Sequence, residues 1–250
     1  MTGTRNWLIY SDPGIGKTVV AGTAPRSLFL TTEAAGTESA KAFGSEADEW
    51  IIDSWSDFKD AYAWLKKEGH KEYDWVNVDS ITEMEELCWN DQLEATGKEF
   101  EARIQDYGIV DKKVKKMIDN FCRLPVNVLF TAQMMAFTTE DDEGDDILKR
   151  LPKLGRTKDG APLSNLVCGK MTLVGLLTPM EEKDGSEFRR LWVHGGEKWV
   201  AKDRHDTFLE GYVDRPNIAE MNELVAARQA SGHKSSTKGT KKNKKEKVAA

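Results

Sequence analysis

Eight consecutive residues, Ser11-Asp12-Pro13-Gly14-Ile15-Gly16-Lys17-Thr18, carry the chemistry that is easiest to read in this chain of 250 residues. Glycines allow consecutive backbone N–H groups to turn toward one anion. A helix starting at the end of the loop adds unpaired N–H groups and the positive end of its dipole. Lys17 supplies a mobile positive charge for terminal phosphates, and the Thr18 hydroxyl is a hard oxygen ligand suited to Mg²⁺. Pro13, Gly14, Ile15, Gly16, Lys17 and Thr18 together read as a phosphate-binding loop, which implies ATP and Mg²⁺ as the bound species. The usual pattern opens on glycine where this chain has Ser11. That position serves the turn rather than the phosphate contact.

Such a loop works only between a buried strand and a helix. Residues 6–10, Asn-Trp-Leu-Ile-Tyr, form a short apolar run of the kind a buried strand needs, and residues 18–24 continue as a helix until Pro25 stops it. Ser27 to Thr31 reads as a second strand, completing a βαβ unit with the first. Ser54 and Asp57 predict a capping box for a helix whose apolar face is Phe58, Ala61, Tyr62 and Leu65. Strands follow at 73–79 and 126–131, and helices at 81–95 and 109–123, with 96–107 read as a polar loop. Two strand-like runs, 171–181 and 187–194, flank Asp184-Gly185, a hairpin signal. The fold class expected is therefore α/β, with a mostly parallel central sheet and an antiparallel hairpin extension toward the C-terminus.

Several residues fall at strand ends, where such sheets bind ligands. Asp79 closes its strand and is placed to hold Mg²⁺ with Thr18; the alternative is a cap for the following helix. Glu33 follows the second strand. If that strand lies beside the first, Glu33 can polarise an attacking water; otherwise it is an ordinary loop carboxylate. Gln133 ends another strand, where a neutral amide can bond a terminal phosphate or start a surface loop. Lys149, Arg150, Lys153, Arg156 and Lys158 are five cations within ten residues after Gln133. Such a cluster can track a nucleic-acid backbone, although the acidic run Asp141 to Asp146 opposes it, and a charge-balanced hairpin reads equally from the residues. Lys202 and Arg204, after the late strand, can reach a neighbouring subunit's phosphates or pair with Asp203 and Asp206.

Composition sets the frame. The formal net charge is −6, with 39% hydrophobic and 31% charged residues. Residues 231–250 carry seven Lys and one Glu, a surplus of six positive charges that leaves the remainder at −12. An acidic domain over 1–228 and a disordered basic tail over 229–250 are expected, the tail being either a solubilising end or a holder of acidic partners. No apolar run approaches the ~20 residues a membrane helix needs, and the N-terminus has no signal-peptide core, so a cytoplasmic location without membrane contact is expected. Cys88, Cys122 and Cys168 lack metal spacing and read as small buried residues.

In order and spacing, the loop at 11–18, Glu33 in Phe29-Leu30-Thr31-Thr32-Glu33, strand-end Asp79, strand-end Gln133 and Lys202-Asp203-Arg204 resemble the RecA-like P-loop NTPase core. They are especially similar to the phage recombination ATPases of the Sak-four group, over roughly residues 5–210. The resemblance implies Lys17, Glu33 and Gln133 as catalytic residues, with Glu33 as base and Gln133 as γ-phosphate sensor leading into a DNA-binding loop. It also implies Mg²⁺ at Thr18 and Asp79, and Lys202 and Arg204 as fingers acting between subunits of a ring or filament. Expected partners are single-stranded DNA, a single-strand-binding protein and further copies of the chain, in host cytoplasm if phage-encoded. The expected activity is DNA-stimulated ATP hydrolysis coupled to annealing or recombination. A small-molecule phosphotransferase, or a non-hydrolytic ATP-switch loader or scaffold, are the alternatives. Phosphate transfer to a metabolite would mark the first; a silent Glu33→Gln substitution would mark the second.

Overall fold

The computed structural model describes residues 3–97, 101–140, 143–155 and 162–231. Its strands are β1 (Asn6–Ser11), β2 (Ser27–Thr31), β3 (Asp48–Ile51), β4 (Trp75–Asp79), β5 (Asn127–Glu140), β6 (Asp146–Pro152), β7 (Leu173–Glu181), β8 (Glu187–Trp192), β9 (Lys202–Asp203) and β10 (Tyr212–Asp214). The helices are α1 (Lys17–Ala21), α2 (Glu38–Ala42), α3 (Trp55–Lys67), α4 (Ile81–Thr96), α5 (Ile104–Phe121), α6 (Pro162–Lys170) and α7 (Ile218–Ala230). The main sheet runs β10-β8-β7-β1-β5-β4-β2-β3, with β6 paired to β5 and β9 to β7. Pairings from β7 through β1, β5, β4 and β2 to β3 are parallel. That of β7 with β8 is antiparallel, as the Asp184-Gly185 turn predicts, and so is that of β8 with β10.

Burial on both faces explains the apolar runs. Leu8 and Tyr10 of β1 enter a core with residues of α3, α4, α5 and α6, while Trp7 and Ile9 enter a second core with Val20 and Ala21 of α1 and Met221 and Val225 of α7. Central parallel strands sandwiched between helices have no solvated face, so they need not alternate with polar residues.

Three expectations are corrected. β2 does not lie beside β1, because β5 and β4 stand between them, so the first two strands do not form an adjacent βαβ pair. The strand ending in Gln133 does not stop there: β5 continues to Glu140 and folds back antiparallel as β6, so the segment after Gln133 is the hairpin, the alternative to a loop. Finally, α5 begins at Ile104, inside the stretch read as a polar loop. Its first turn is fixed by polar contacts, with Arg103 N and Nε donating to Asp106 Oδ2 and Gln92 Nε2 donating to Oδ1. Ile104 itself is 93% exposed, so apolar periodicity gives no sign of this start. These contacts, with the Arg103 guanidinium foremost, hold the Asp106 carboxyl well below its ordinary range.

The Ser54–Asp57 capping box of α3 is present as expected. α7 carries regular structure to Ala230, two residues past the expected domain end at 228, and residues 232–250 lie outside the described residues. Cys88 and Cys168 are buried and Cys122 is half-buried; burial pushes each thiol up to about 12.

Candidate active site at the carboxyl ends of the parallel strands

Sheet register builds the site. Ser11 at the end of β1 stands level with Gln133 of β5, and Asp79 at the end of β4 stands level with Thr31 at the end of β2. The ends of β2 and β4 and the Gln133 level of β5 therefore open on one crevice. A cavity of about 240 Å³ is lined by Pro13, Gly14, Lys17, Thr18, Thr31, Glu33, Asp79 and Gln133. The structure thus brings together every residue expected at the phosphate and metal positions except Ile15 and Gly16, which complete the loop beside it. Glu33 reaches the crevice although β2 is three strands from β1.

The loop has the backbone that anion binding requires. Gly14 and Gly16 take φ of +78° and +96°, in the left-handed region that side chains disfavour. Gly16 is the N-cap of α1 and has no side chain to satisfy the helix's first N–H groups, which leaves them for a ligand. Lys17 Nζ folds back onto the loop, donating to Asp12 O at 3.1 Å, Ser11 Oγ at 3.2 Å and Ser11 O at 3.3 Å. Burial lowers its pKa, against the opposing pull of Asp79, Asp12 and Glu33.

Thr18 Oγ1 donates to Asp79 Oδ2 at 2.7 Å, and Thr131 Oγ1 of β5 donates to Oδ1. Asp79 is thus held at both oxygens. Ser80, not Asp79, caps α4, its hydroxyl accepting from Glu83 N, so the capping alternative for Asp79 does not apply. A hydroxyl and one carboxylate meeting here suit Mg²⁺, which takes few protein oxygens and completes its shell with water and substrate phosphate. No group of three or more His, Cys, Asp or Glu suited to a metal occurs among the described residues.

Gln133 is the hub between this crevice and the hairpin. Its N–H donates to Thr82 Oγ1 at 3.0 Å, its Nε2 donates to Glu83 Oε1 at 3.3 Å, and its carbonyl accepts from Lys153 N at 2.8 Å. Thr82 Oγ1 donates in turn to Lys153 O at 3.1 Å. The first turn of α4 is therefore bonded to both strands of the hairpin at its root. Burial raises the Glu83 carboxyl, with Glu86 and Glu33 adding to the shift. Thr131, Thr82 and Glu83 escaped sequence reading because no motif marks them. Only the position of Thr82 and Glu83, three and four residues after Asp79, hints at a role.

The cation candidates divide. Lys149 and Arg150 are consecutive on β6, opposite Phe137 and Ala136, and so point to opposite faces. Lys153 is exposed at the hairpin root. Arg156 and Lys158 lie outside the described residues, as do Asp141 and Asp142. Glu140, Glu143, Asp145 and Asp146 are at the far end of the hairpin from Arg150 and Lys153. Lys202 and Arg204 stay with their own chain: Lys202 Nζ donates to Cys168 O and Gly169 O at 2.7 and 3.1 Å, and Arg204 Nη2 to Gly169 O at 3.1 Å. They satisfy carbonyls near the end of α6, a favourable place for cations. Asp203 does not pair with them; it accepts backbone N–H groups of His205, Thr207 and Phe208.

A family model described as an AAA domain matches residues 4–205. Among solved structures, the crystal structure of the RadB recombinase matches at 13% identity, covering 76% of this chain and 80% of that chain with a TM-score of 0.42. No curated protein matches the chain.

Proposed function

The chain belongs to the AAA domain family, and on that premise we propose that it is a RecA-like, Mg²⁺-dependent ATPase of DNA recombination, of the phage annealing type, that grips single-stranded DNA according to its nucleotide state. The observation that carries this reading is the convergence of Lys17, Thr18, Asp79, Glu33 and Gln133 on one cavity. The loop N–H groups and Lys17 hold the phosphates. Thr18 and Asp79 would hold Mg²⁺, which would supply charge neutralisation at the terminal phosphates. Glu33 takes the proton of the attacking water, a task suited to an exposed carboxylate on a loop that Thr31 and Gly36 pin through hydrogen bonds. Gln133 exchanges its bond to Glu83 for one to the γ-phosphate, and this exchange reaches Lys153 and the β5–β6 hairpin. The acids at the hairpin tip are kept apart from Arg150 and Lys153 at its base, which favours DNA at the base. In a ring or filament, Lys202 and Arg204 would exchange the Cys168 and Gly169 carbonyls they bond in their own chain for the next subunit's phosphates, and a single-strand-binding protein is a further partner.

The Gln133→Ala variant tests the coupling. It is expected to hydrolyse ATP but to lose stimulation by single-stranded DNA. Retention of full stimulation would sink the sensor role.

A further inference from the structure

Arg189 lies on β8, on the strand face that also presents Leu191 and Val193 to the core containing α1. Its Nε donates to the carbonyl of Ile15 at 2.5 Å, across 174 residues of sequence. Its guanidinium fills the space beside Gly16: a Cβ there would fall 2.5 Å from Nε, 2.7 Å from Cζ and 2.9 Å from Nη2. Gly16 is favoured by its positive φ, and a Cβ there would displace the guanidinium. The neighbouring arginine differs. Arg190 is paired with Asp214 at 2.6 and 2.8 Å and lies 3.8 Å over the Tyr212 ring. Arg189 is half-buried and has no carboxylate within ion-pair distance among the described residues.

Resting on the nucleotide-binding reading of the loop, we propose that Arg189 is a positioning residue that aims and polarises the Gly16 N–H at the bound phosphate. The carbonyl it holds and the Gly16 N–H belong to one peptide group. In a planar trans peptide these two dipoles point in opposite directions. Pulling Ile15 O outward toward β8 therefore fixes Gly16 N–H inward, toward the concave side of the loop. A cation on the carbonyl also strengthens the N–H as a donor, because hydrogen bonds in series polarise one another. The unpaired charge gains its counter-ion when the phosphates arrive. No other side chain of the described residues bonds this carbonyl.

The test compares the full chain with Arg189→Met and Arg189→Lys, using titration with Mg²⁺–ATP and Mg²⁺–ADP together with melting temperatures measured with and without nucleotide. Arg189→Met is expected to bind both nucleotides roughly 10- to 100-fold more weakly, the range for a charged hydrogen bond, while its nucleotide-free melting point stays near the parent's. Arg189→Lys restores part of the affinity. A lower nucleotide-free melting point with unchanged affinity would make Arg189 a structural brace and overturn the proposal. Failure of the parent itself to bind nucleotide would instead overturn the reading of the loop. If Arg189→Met fails to fold, Arg189→Lys decides: affinity equal to the parent's would overturn the geometric part of the argument, since lysine cannot present Nε to the carbonyl.

Discussion

Thr18 of α1 and Asp79 of β4 meet at 2.7 Å although α1 follows β1, and β5 lies between β1 and β4. β5 contributes to the same contact, because its Thr131 holds the second carboxylate oxygen. The carboxylate is therefore oriented before any metal arrives, and its orientation depends on a buried residue outside the cavity lining.

Thr131→Val should raise the Mg²⁺ concentration needed for half-maximal ATP hydrolysis by about tenfold or more, the usual cost of removing a partner that orients a metal ligand. Mg²⁺ titration of the steady-state rate checks this, and an unchanged requirement would count against the metal role of Asp79.

Glu33→Gln should lower hydrolysis by roughly 10²- to 10⁴-fold, the contribution of a positioned base, while ATP affinity stays close to that of the parent. Single-turnover hydrolysis alongside equilibrium binding separates the two. Parent-like turnover would remove Glu33 from the chemistry and favour the switch-protein alternative.

Nucleotide affinity should fall at alkaline pH. The protonated form of Lys17 binds the anion, and burial lowers its pKa from the ordinary 10.5. The loss therefore begins at a lower pH than for a solvent-exposed lysine, and bound phosphate shifts the titration back upward. Binding measured across rising pH tests the sign: affinity that increases with pH would contradict it.

Trp75→Ala should destabilise the fold by about 3–5 kcal/mol, as expected for deleting a fully buried aromatic. Its indole packs on that of Trp7 with ring centroids 5.1 Å apart, at the start of the two strands that end in the site. Urea denaturation measures the loss. The milder Trp75→Phe keeps part of the contact and separates packing from site chemistry in hydrolysis assays.

The legible part of this molecule is local. The phosphate loop, the Ser54 capping box and the Asp184-Gly185 hairpin each announce themselves within a few residues, because turn and cap chemistry acts over that range. Strand order was not legible: nothing in Ser27–Thr31 says that two later strands will insert beside β1. Glu33 could still be picked out because every central strand points its carboxyl end the same way, whichever strand is adjacent. The extension of β5 beyond Gln133, Met-Met-Ala-Phe-Thr-Thr-Glu, was hidden because it has no alternating apolar pattern and is held by a later partner strand, β6. Thr131 and Arg189 act through single hydrogen bonds to groups 52 and 174 residues away, and no local pattern encodes such pairs.

The most direct measurement is Mg²⁺-dependent ATP hydrolysis with and without single-stranded DNA, using Lys17→Ala as the blank. The account predicts a rate that DNA stimulates and that the blank abolishes. Hydrolysis indifferent to DNA, or nucleotide binding without hydrolysis, would contradict it and leave a phosphotransferase or a nucleotide-switched scaffold in its place.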